Sequence, residues 1–568
     1  MSNQNKKRIL FVGEYSQLCT GFSTIGYYLL PRLYKNKNYE IAELATYTHQ
    51  LHPRINDTDW KVYPNEPHPF DQESRKRYDS DPMNQFGKWK LDEVCLDFQP
   101  DIIVTWRDNW MDNFINKSPY RKYFKYITMP TCDGSPQKIE WLEDYAECDK
   151  VLAYSYYGKS VLEQESNGKI KICAVPTPGS DLDIFKPIAN KAEHRKSIGL
   201  SPNLFVLGTV MRNQPRKLYT DLLKAFNKYL QLCKENSQDD LAKSSFMYWH
   251  TTNPDVGWDI PTEIQKHGLS HKILFTYKCE ACGFVLPMLF NGEVTTCRKC
   301  MNHSMRFPNT AIGVSREQLA AIMAGFDLYI QYSCSEGLGM PINDAKSCGV
   351  PTMTVQHSAM IEQAYNGGGI PIEVIRHYQE PINATSQLRA LPDNDDAAQK
   401  IYNFATASPE YKEKLSKEAR ACVEQYYNWD NIAKVWEEVI DSIEIEPIEK
   451  RWLSKPNYIH MKTQIPGNLS NEGFVKWCYE NILCQPEKFN GSLAQRTISI
   501  LNAGYEAGMD GMGRPIRQGV DRNKIIQNMA NYVHNNNMME DLRYNKLVLK
   551  DQNKPEINFG TIYNQQDI

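Results

Sequence analysis

A chain of 568 residues is longer than one hydrophobic core usually organises, and at roughly 100 to 200 residues per domain it predicts three or four domains. Hydrophobic residues at 41% and charged residues at 23% exclude a largely disordered or fibrous chain. A formal net charge of -3 excludes wholesale electrostatic adhesion to nucleic acid or anionic membrane, and leaves room only for local basic surfaces. Residues 1 to 8 are polar and basic, the apolar run Ile9 to Gly13 is too short for a signal segment, and no stretch of about 18 apolar residues follows. The expectation is a cytoplasmic protein without a transmembrane segment.

The run Lys7 to Gly13 reads as a buried first strand ending in a turn, and Gly21 to Leu33 as a helix entered through glycine, a Rossmann-like opening. Short apolar runs at Ile102 to Val104, Tyr126 to Thr128 and Val151 to Ala153 repeat the pattern, with a helix over Tyr157 to Glu163. Strands alternating with helices imply a parallel sheet covered on both faces, and this first half ends near Pro187. A second set starts at Leu204 to Gly208 and continues through a helix over Asp221 to Leu232 and strands at Met247 to Trp249 and Ile273 to Phe275. It resumes with a helix over Glu317 to Ala324, a strand at Leu328 to Gln331, a helix over Pro341 to Cys348 and a strand at Thr352 to Val355. The stretch Glu410 to Ile443 is helical, with Ile432, Val435, Trp436, Val439 and Ile440 on one face. The fold class expected is α/β: residues 1–187 and 188–445 form two facing Rossmann-like domains with a ligand cleft at their strand ends. Residues 446–568 are expected as a mainly helical extension, with helices over Glu472 to Leu483, Leu493 to Ala507 and Lys524 to Val533.

Fifteen cysteines in a long chain without a visible export signal argue for metal over disulfides. Cys279 and Cys282, then Cys297 and Cys300, form two CxxC knuckles 14 residues apart, the spacing of a tetrahedral four-thiolate zinc site in an insertion at about 277–304. Four thiolates fill the coordination sphere, so the expected role is structural.

A Gly-rich turn carries Glu336, Gly337, Leu338 and Gly339 ahead of Pro341 and Asp344, placing one carboxylate in a strand-to-helix turn and another eight positions on, inside the helix. The glycines permit close backbone approach, and the first helical turn offers free amides to a phosphate. The strand end Gly208 to Lys217 adds Arg212, Arg216 and Lys217, cations suited to a diphosphate.

These residues together resemble the retaining, glycogen-synthase-like family four of GT-B glycosyltransferases. Its E-x7-E motif is matched by Glu336-x7-Asp344, its donor-phosphate Arg and Lys by Arg212 and Lys217, its linker pattern by Pro178 to Asp181, and its closing helix by Trp429-Asp430 onward. The resemblance spans about residues 7 to 445. It implies a nucleotide-sugar donor held mainly by the second half, near the Gly21 loop, with Glu336 on the donor sugar hydroxyls, Asp344 on the ribose, and Arg212 and Lys217 on the leaving diphosphate. No catalytic metal is expected. Asp344 stands one methylene short of the usual glutamate, and where relatives carry a histidine this chain has Asp133, a candidate for orienting acceptor or donor sugar. Glu14 and His250 lie at comparable strand ends, where organising a loop is the expected role. The expected acceptor is a hydroxyl, with a macromolecule as one option. Two alternatives stand beside this: a viral enzyme glycosylating hydroxymethylpyrimidine in DNA, with Arg514, Arg517, Arg522 and Lys524 as a basic track, and an inactive GT-B scaffold binding nucleic acid or protein.

Overall fold

The computed structural model describes residues 6–309, 313–381, 384–446, 469–481, 489–503, 505–509 and 515–518, together with Arg522 and Ile525. Contacts divide the chain into two units, Met1–Lys117 with Phe124–Ile445, and Ser118–Tyr123 with Glu446–Ile568.

The larger unit contains two lobes. The first is a six-stranded sheet of β1 (Lys7–Glu14), β2 (Tyr39–Thr46), β3 (Lys61–Pro64), β4 (Ile102–Thr105), β5 (Lys125–Thr128) and β6 (Lys150–Val151), in the order β3-β2-β1-β4-β5-β6. Every pairing in it is parallel. β2 is not among the strands expected from the sequence, and Glu40 and Glu43 interrupt its apolar run. Glu43 is nevertheless 2% exposed. The Ser16 amide donates to it at 2.7 Å, Ser16 Oγ at 3.0 Å and Trp60 Nε1 at 3.0 Å. Burial pushes this carboxyl up to about 7 against those bonds.

The second lobe repeats the strand order. It runs through β7 (Phe205–Val210), β8 (Ser245–His250) and β9 (Ile273–Cys279), then an antiparallel excursion of β10 (Val285–Leu289), β11 (Val294–Thr295) and β12 (Met305–Arg306). It ends with β13 (Leu328–Gln331), β14 (Thr352–Val355) and β15 (Gly369–Ile372). The parallel part reads β9-β8-β7-β13-β14-β15, again third, second, first, fourth, fifth, sixth. The excursion pairs β10 and β12 with β9 itself, so the cysteine-bearing segment shares a strand with the main sheet. A hairpin of β16 (Val374–Gln379) and β17 (Leu388–Pro392) follows.

The helical stretch expected to close the body is two helices, Pro409–Tyr426 and Trp429–Asp441, separated where the Asn428 side chain accepts from the Asp430 amide at 2.8 Å and caps the second. That second helix returns to the first lobe: Trp429, Ile432, Trp436, Val439 and Ile440 are buried in one cluster with Ile9, Phe11, Leu29 and Trp106. At roughly 1.5–3 kcal/mol per large apolar side chain, this face alone is a substantial anchor. Lys7 Nζ donates to the carbonyls of Ile440 at 2.9 Å and Ile443 at 3.0 Å, satisfying the helix's last acceptors. The two crossings between lobes run side by side, joined where the Ser180 amide donates to the Tyr427 carbonyl at 3.0 Å.

In the smaller unit, helices Asn471–Asn481 and Ser492–Ala503 precede an antiparallel strand pair, Tyr505–Met509 with Pro515–Gln518. The helix expected over Leu493 to Ala507 is therefore corrected: it stops at Ala503. Glycines at 504 and 508 each cost a helix about 1 kcal/mol relative to alanine, and the pairing partner at residues 515–518 decides for strand. The helix expected over Lys524 to Val533, and the cations Arg514 and Lys524, lie outside the described residues, and Arg517 falls on the second strand. Arg522 is engaged within its own unit, donating to the Leu469 carbonyl at 2.5 Å and to Asn471 Oδ1 at 3.1 Å, with its guanidinium 4.9 Å from the Phe474 ring centre.

Candidate functional site

The carboxyl ends of β7 and β13 are tied by backbone. The Leu218 amide donates to the Tyr332 carbonyl and the Cys334 amide to the Arg216 carbonyl, both at 2.9 Å, which sets Lys217 opposite Ser333. Glu336 lies three residues further on. Lys217 Nζ donates to Glu336 Oε1, an atom that also accepts from Gln331 Nε2 at 2.8 Å and Ser333 Oγ at 2.6 Å. Arg216 Nη2 stands 3.7 Å from the other carboxylate oxygen. Lys217 and Glu336 are 6% and 5% exposed. Burial, and then the like charge of Arg216, push the Lys217 ammonium well below its ordinary range.

The elbow after Glu336 is shaped by contact with the first lobe. A Cβ on Gly337 would lie 2.5 Å from Thr131 Cγ2, so the close approach requires glycine there. Leu338 is buried among first-lobe residues. Gly339, at φ 82°, is the left-handed N-cap of the helix Met340–Ser347, which has Pro341 in its first turn. Gly21 opens the helix Gly21–Tyr34, and a Cβ built on it would sit 3.4 Å from Met340 Cε, so two helix N-termini meet here. Glu14 accepts from Thr20 Oγ1, and the same oxygen caps the helix by accepting from the Ser23 amide at 3.3 Å, the loop-organising role expected of Glu14. His250 Nδ1 lies 3.0 Å from Thr276 Oγ1, and burial pushes its ring down to about 4.

The two cations expected on one diphosphate have different partners in the structure. Lys217 is inside, on Glu336. Arg212 is at the cleft surface, about half exposed, its Nε and Nη2 donating to the Asp255 carboxylate at 2.8 and 3.0 Å. Asp255 holds that guanidinium above its ordinary value, with Glu14 and Tyr47 of the first lobe adding to the effect.

Asp133 joins the lobes. Its Oδ2 lies 3.1 Å from Arg389 Nη1 on β17, and its carbonyl accepts from Ser335 Oγ. Arg389, 3% exposed, donates through Nη2 to Glu380 at 3.1 Å. Asp344 accepts at Oδ1 from Ser180 Oγ in the interlobe linker at 2.6 Å, and burial pushes its carboxyl up to about 6 while Arg316 opposes the shift. The Arg316 guanidinium lies 4.2 and 4.6 Å from the ring centres of Tyr27 and Tyr28 in the first lobe.

Gln331, Ser333, Asp255, Arg389 and Asp108 are not among the site residues expected from the sequence. Asp108 follows β4 at the carboxyl end of the first sheet; burial and then the Asp133 carboxylate push it up to about 6, opposed first by the Thr131 hydroxyl and then by Arg216. The strand-end rule that selected Asp133 would have found it. Arg389 offered no such signal, since its hairpin carries no motif.

The Sγ atoms of Cys279, Cys282, Cys297 and Cys300 all lie within 4.8 Å of one another. Cys279–Cys300 is 3.6 Å and Cys282–Cys297 is 3.8 Å. A tetrahedral ion with bonds of about 2.3 Å to sulfur needs edges of about 3.8 Å, so the four thiols fit a metal ion. Ser304 Oγ at 3.3 Å from Cys279 Sγ and the Lys299 amide, donating to Cys297 Sγ at 3.4 Å, supply the surrounding hydrogen bonds.

Chemically, the second lobe places three cations, with the partner carboxylates Glu336 and Asp255, and a helix N-terminus at its strand ends, while the first lobe places carboxylates and aromatic rings there. No protein-family model matches the chain, and no curated protein matches it. Solved structures do. Sucrose-phosphate synthase from Thermosynechococcus elongatus is similar at 14% identity, covering 77% of this chain and all of its own, with a TM-score of 0.56. HepE from Anabaena, in complex with UDP and glucose, is similar at 14% identity over 77% of this chain and all of its own, TM-score 0.51. An E. coli trehalose-6-phosphate protein bound with UDP-2-fluoro glucose is similar at 10% identity over 78% of this chain and all of its own, TM-score 0.52. At these identities the likeness is one of fold, and the fold of the larger unit is GT-B.

Proposed function

We propose that the chain is a retaining glycosyltransferase of the glycogen-synthase-like family four. In this reading it moves a hexosyl or pentosyl group from a nucleotide sugar held by residues 188–445 to an acceptor hydroxyl presented by residues 1–187. The observation that carries it is the buried Lys217–Glu336 pair set beside two converging helix N-termini. A buried ion pair is a poor stability device, because desolvation offsets most of its attraction, so its retention in a cleft argues for chemistry.

The residues divide the work. Arg212, Arg216 and Lys217, with the free amides of the helix at Met340, stabilise charge as it accumulates on the departing diphosphate, where one preorganised donor is worth roughly 10²–10³ in rate. Glu336 accepts from hydroxyls of the donor sugar and Asp344 from the ribose. Gly21, Gly337, Leu338 and Gly339 bring backbone close to the donor, and Asp133 holds the lobes together beside it. Zinc in the four-cysteine cluster closes the excursion from β9 and leaves no coordination position for substrate. The UDP and UDP-sugar complexes of the neighbouring folds favour a uridine donor.

The test is thermal shift and radiolabel release across UDP-, ADP-, GDP- and dTDP-sugars. One of them, UDP-glucose first, is expected to raise the melting temperature and to be turned over, with Lys217→Ala and Arg212→Ala lowering turnover strongly. Failure of all four classes to bind would overturn the reading.

A further inference from the structure

Trp110 is a large apolar side chain that the first lobe leaves open, with 44% of its surface exposed. It is held firmly all the same. Its ring packs edge-to-face on Phe86 with centroids 5.1 Å apart, and Phe86 meets Tyr47 edge-on at 6.4 Å. Its Nε1 donates to Asp108 Oδ2 at 3.2 Å. The backbone beneath is anchored by Arg107, 1% exposed, which pairs with Asp112 and donates to the Phe86 carbonyl at 3.0 Å. The result is a rigid indole with an open side at the carboxyl end of β4, the end of such sheets where ligands bind.

The cleft carboxylates differ in how they are held. Glu336 is paired with Lys217 and Asp133 with Arg389, whereas Asp108 is held by a neutral indole N–H. Asp108 also faces the second lobe, since Arg216 lies close enough to oppose the shift that burial imposes on it.

We propose that Trp110 and Asp108 form the acceptor subsite and that the acceptor is a neutral pyranoside, one ring lying on the indole face while a hydroxyl donates to the Asp108 carboxylate. A fixed aromatic face beside an acceptor-only carboxylate suits a ring that is apolar on its C–H face and carries hydroxyl donors at its edge. Charge selects against the other candidates. The Asp108 carboxylate, whose hydrogen bond comes from a neutral indole, disfavours an anionic acceptor such as DNA or a phosphorylated sugar at the subsite.

The inference rests on the glycosyltransferase reading, so its test is made independent of the donor. Saturation-transfer NMR on the full chain without nucleotide, using methyl α-glucoside, methyl β-galactoside and maltotriose, is expected to show binding of at least one of them. Trp110→Ala should weaken that binding about tenfold or more, Trp110→Phe should keep most of it, and Asp108→Asn should weaken it several-fold. The melting shift produced by UDP-glucose should be the same in all three variants as in the parent. Absence of binding by every pyranoside, or undiminished binding by Trp110→Ala, overturns the proposal. A parent that binds pyranosides through Trp110 but ignores every nucleotide sugar would instead overturn the glycosyltransferase reading and leave the subsite standing.

Discussion

The two lobes of the larger unit share one strand order and differ in what they place at its carboxyl edge. The first ends its strands in Glu14, Tyr47, Asp108 and Asp133; the second ends β7 in Arg212, Arg216 and Lys217 and extends β9 into a cysteine cluster. The scaffold therefore decides where a ligand lies, and the loops decide its charge. In the proposed reading the second lobe takes the anionic donor and the first the neutral acceptor, which fixes one orientation of the substrates in the cleft.

The comparison is broken most severely at Lys217. Lys217→Met leaves the buried Glu336 with Arg216 alone, at 3.7 Å, which should cost about 3 kcal/mol in urea unfolding and about 10² or more in transfer rate. The double variant Lys217→Met, Glu336→Leu should recover stability and not activity; recovered activity would show that the pair is scaffolding.

The cysteine cluster comes next. Chelation, or Cys300→Ser, should release about one zinc per chain by elemental analysis and lower the melting temperature of the whole larger unit, because Cys279 ends a strand of the main sheet. An unchanged melting profile would make the cluster an ornament of the second lobe.

A smaller effect is expected at the contact between the lobes. Arg389→Ala leaves Asp133 and Glu380 without their shared cation, which should cost about 1–3 kcal/mol and raise the donor KM more than it lowers kcat, read by unfolding and steady-state kinetics.

The mildest test is pH. Asp344 titrates at about 6 in the folded chain against an ordinary 3.8, so the native state binds its proton more tightly than the unfolded state does. Ionised Asp344 thus costs stability above pH 6, and the cost fades as pH falls through 6 toward 4. Asp344→Asn keeps an oxygen for Ser180 and should melt higher than the parent at pH 8, with the difference vanishing near pH 4. A variant that melts lower at pH 8 would reverse the sign of this argument.

Several of these features were legible before any coordinates. The β1 run, the helix at Gly21 and the strand at Leu328 are apolar, short and bounded by turns. The cysteine cluster is legible because chelation is local: each knuckle brings two thiols together within four residues. The elbow is legible in part for the same reason, as Gly339 and Pro341 satisfy backbone demands within one turn, while Gly337 answers Thr131 of the first lobe. What escaped is long-range. β2 carries Glu43 inside because Ser16 and Trp60 receive it, and a carboxylate in a strand looks like a surface residue until those partners are known. The helix read through Ala507 failed because a strand partner outweighed propensity.

By itself, the amino-acid sequence determined the period of the strands and helices, the order of the units and the two CxxC knuckles, all of which depend on residues a few positions apart. Only the tertiary structure decided which charges meet. It put Lys217 on Glu336 across 119 residues, Asp133 on Arg389 across 256, and Arg212 on Asp255 across 43. The physical reason is that a long side chain spends its charge on whatever partner the packed sheets bring within reach, and that reach is set by the fold of every strand between them.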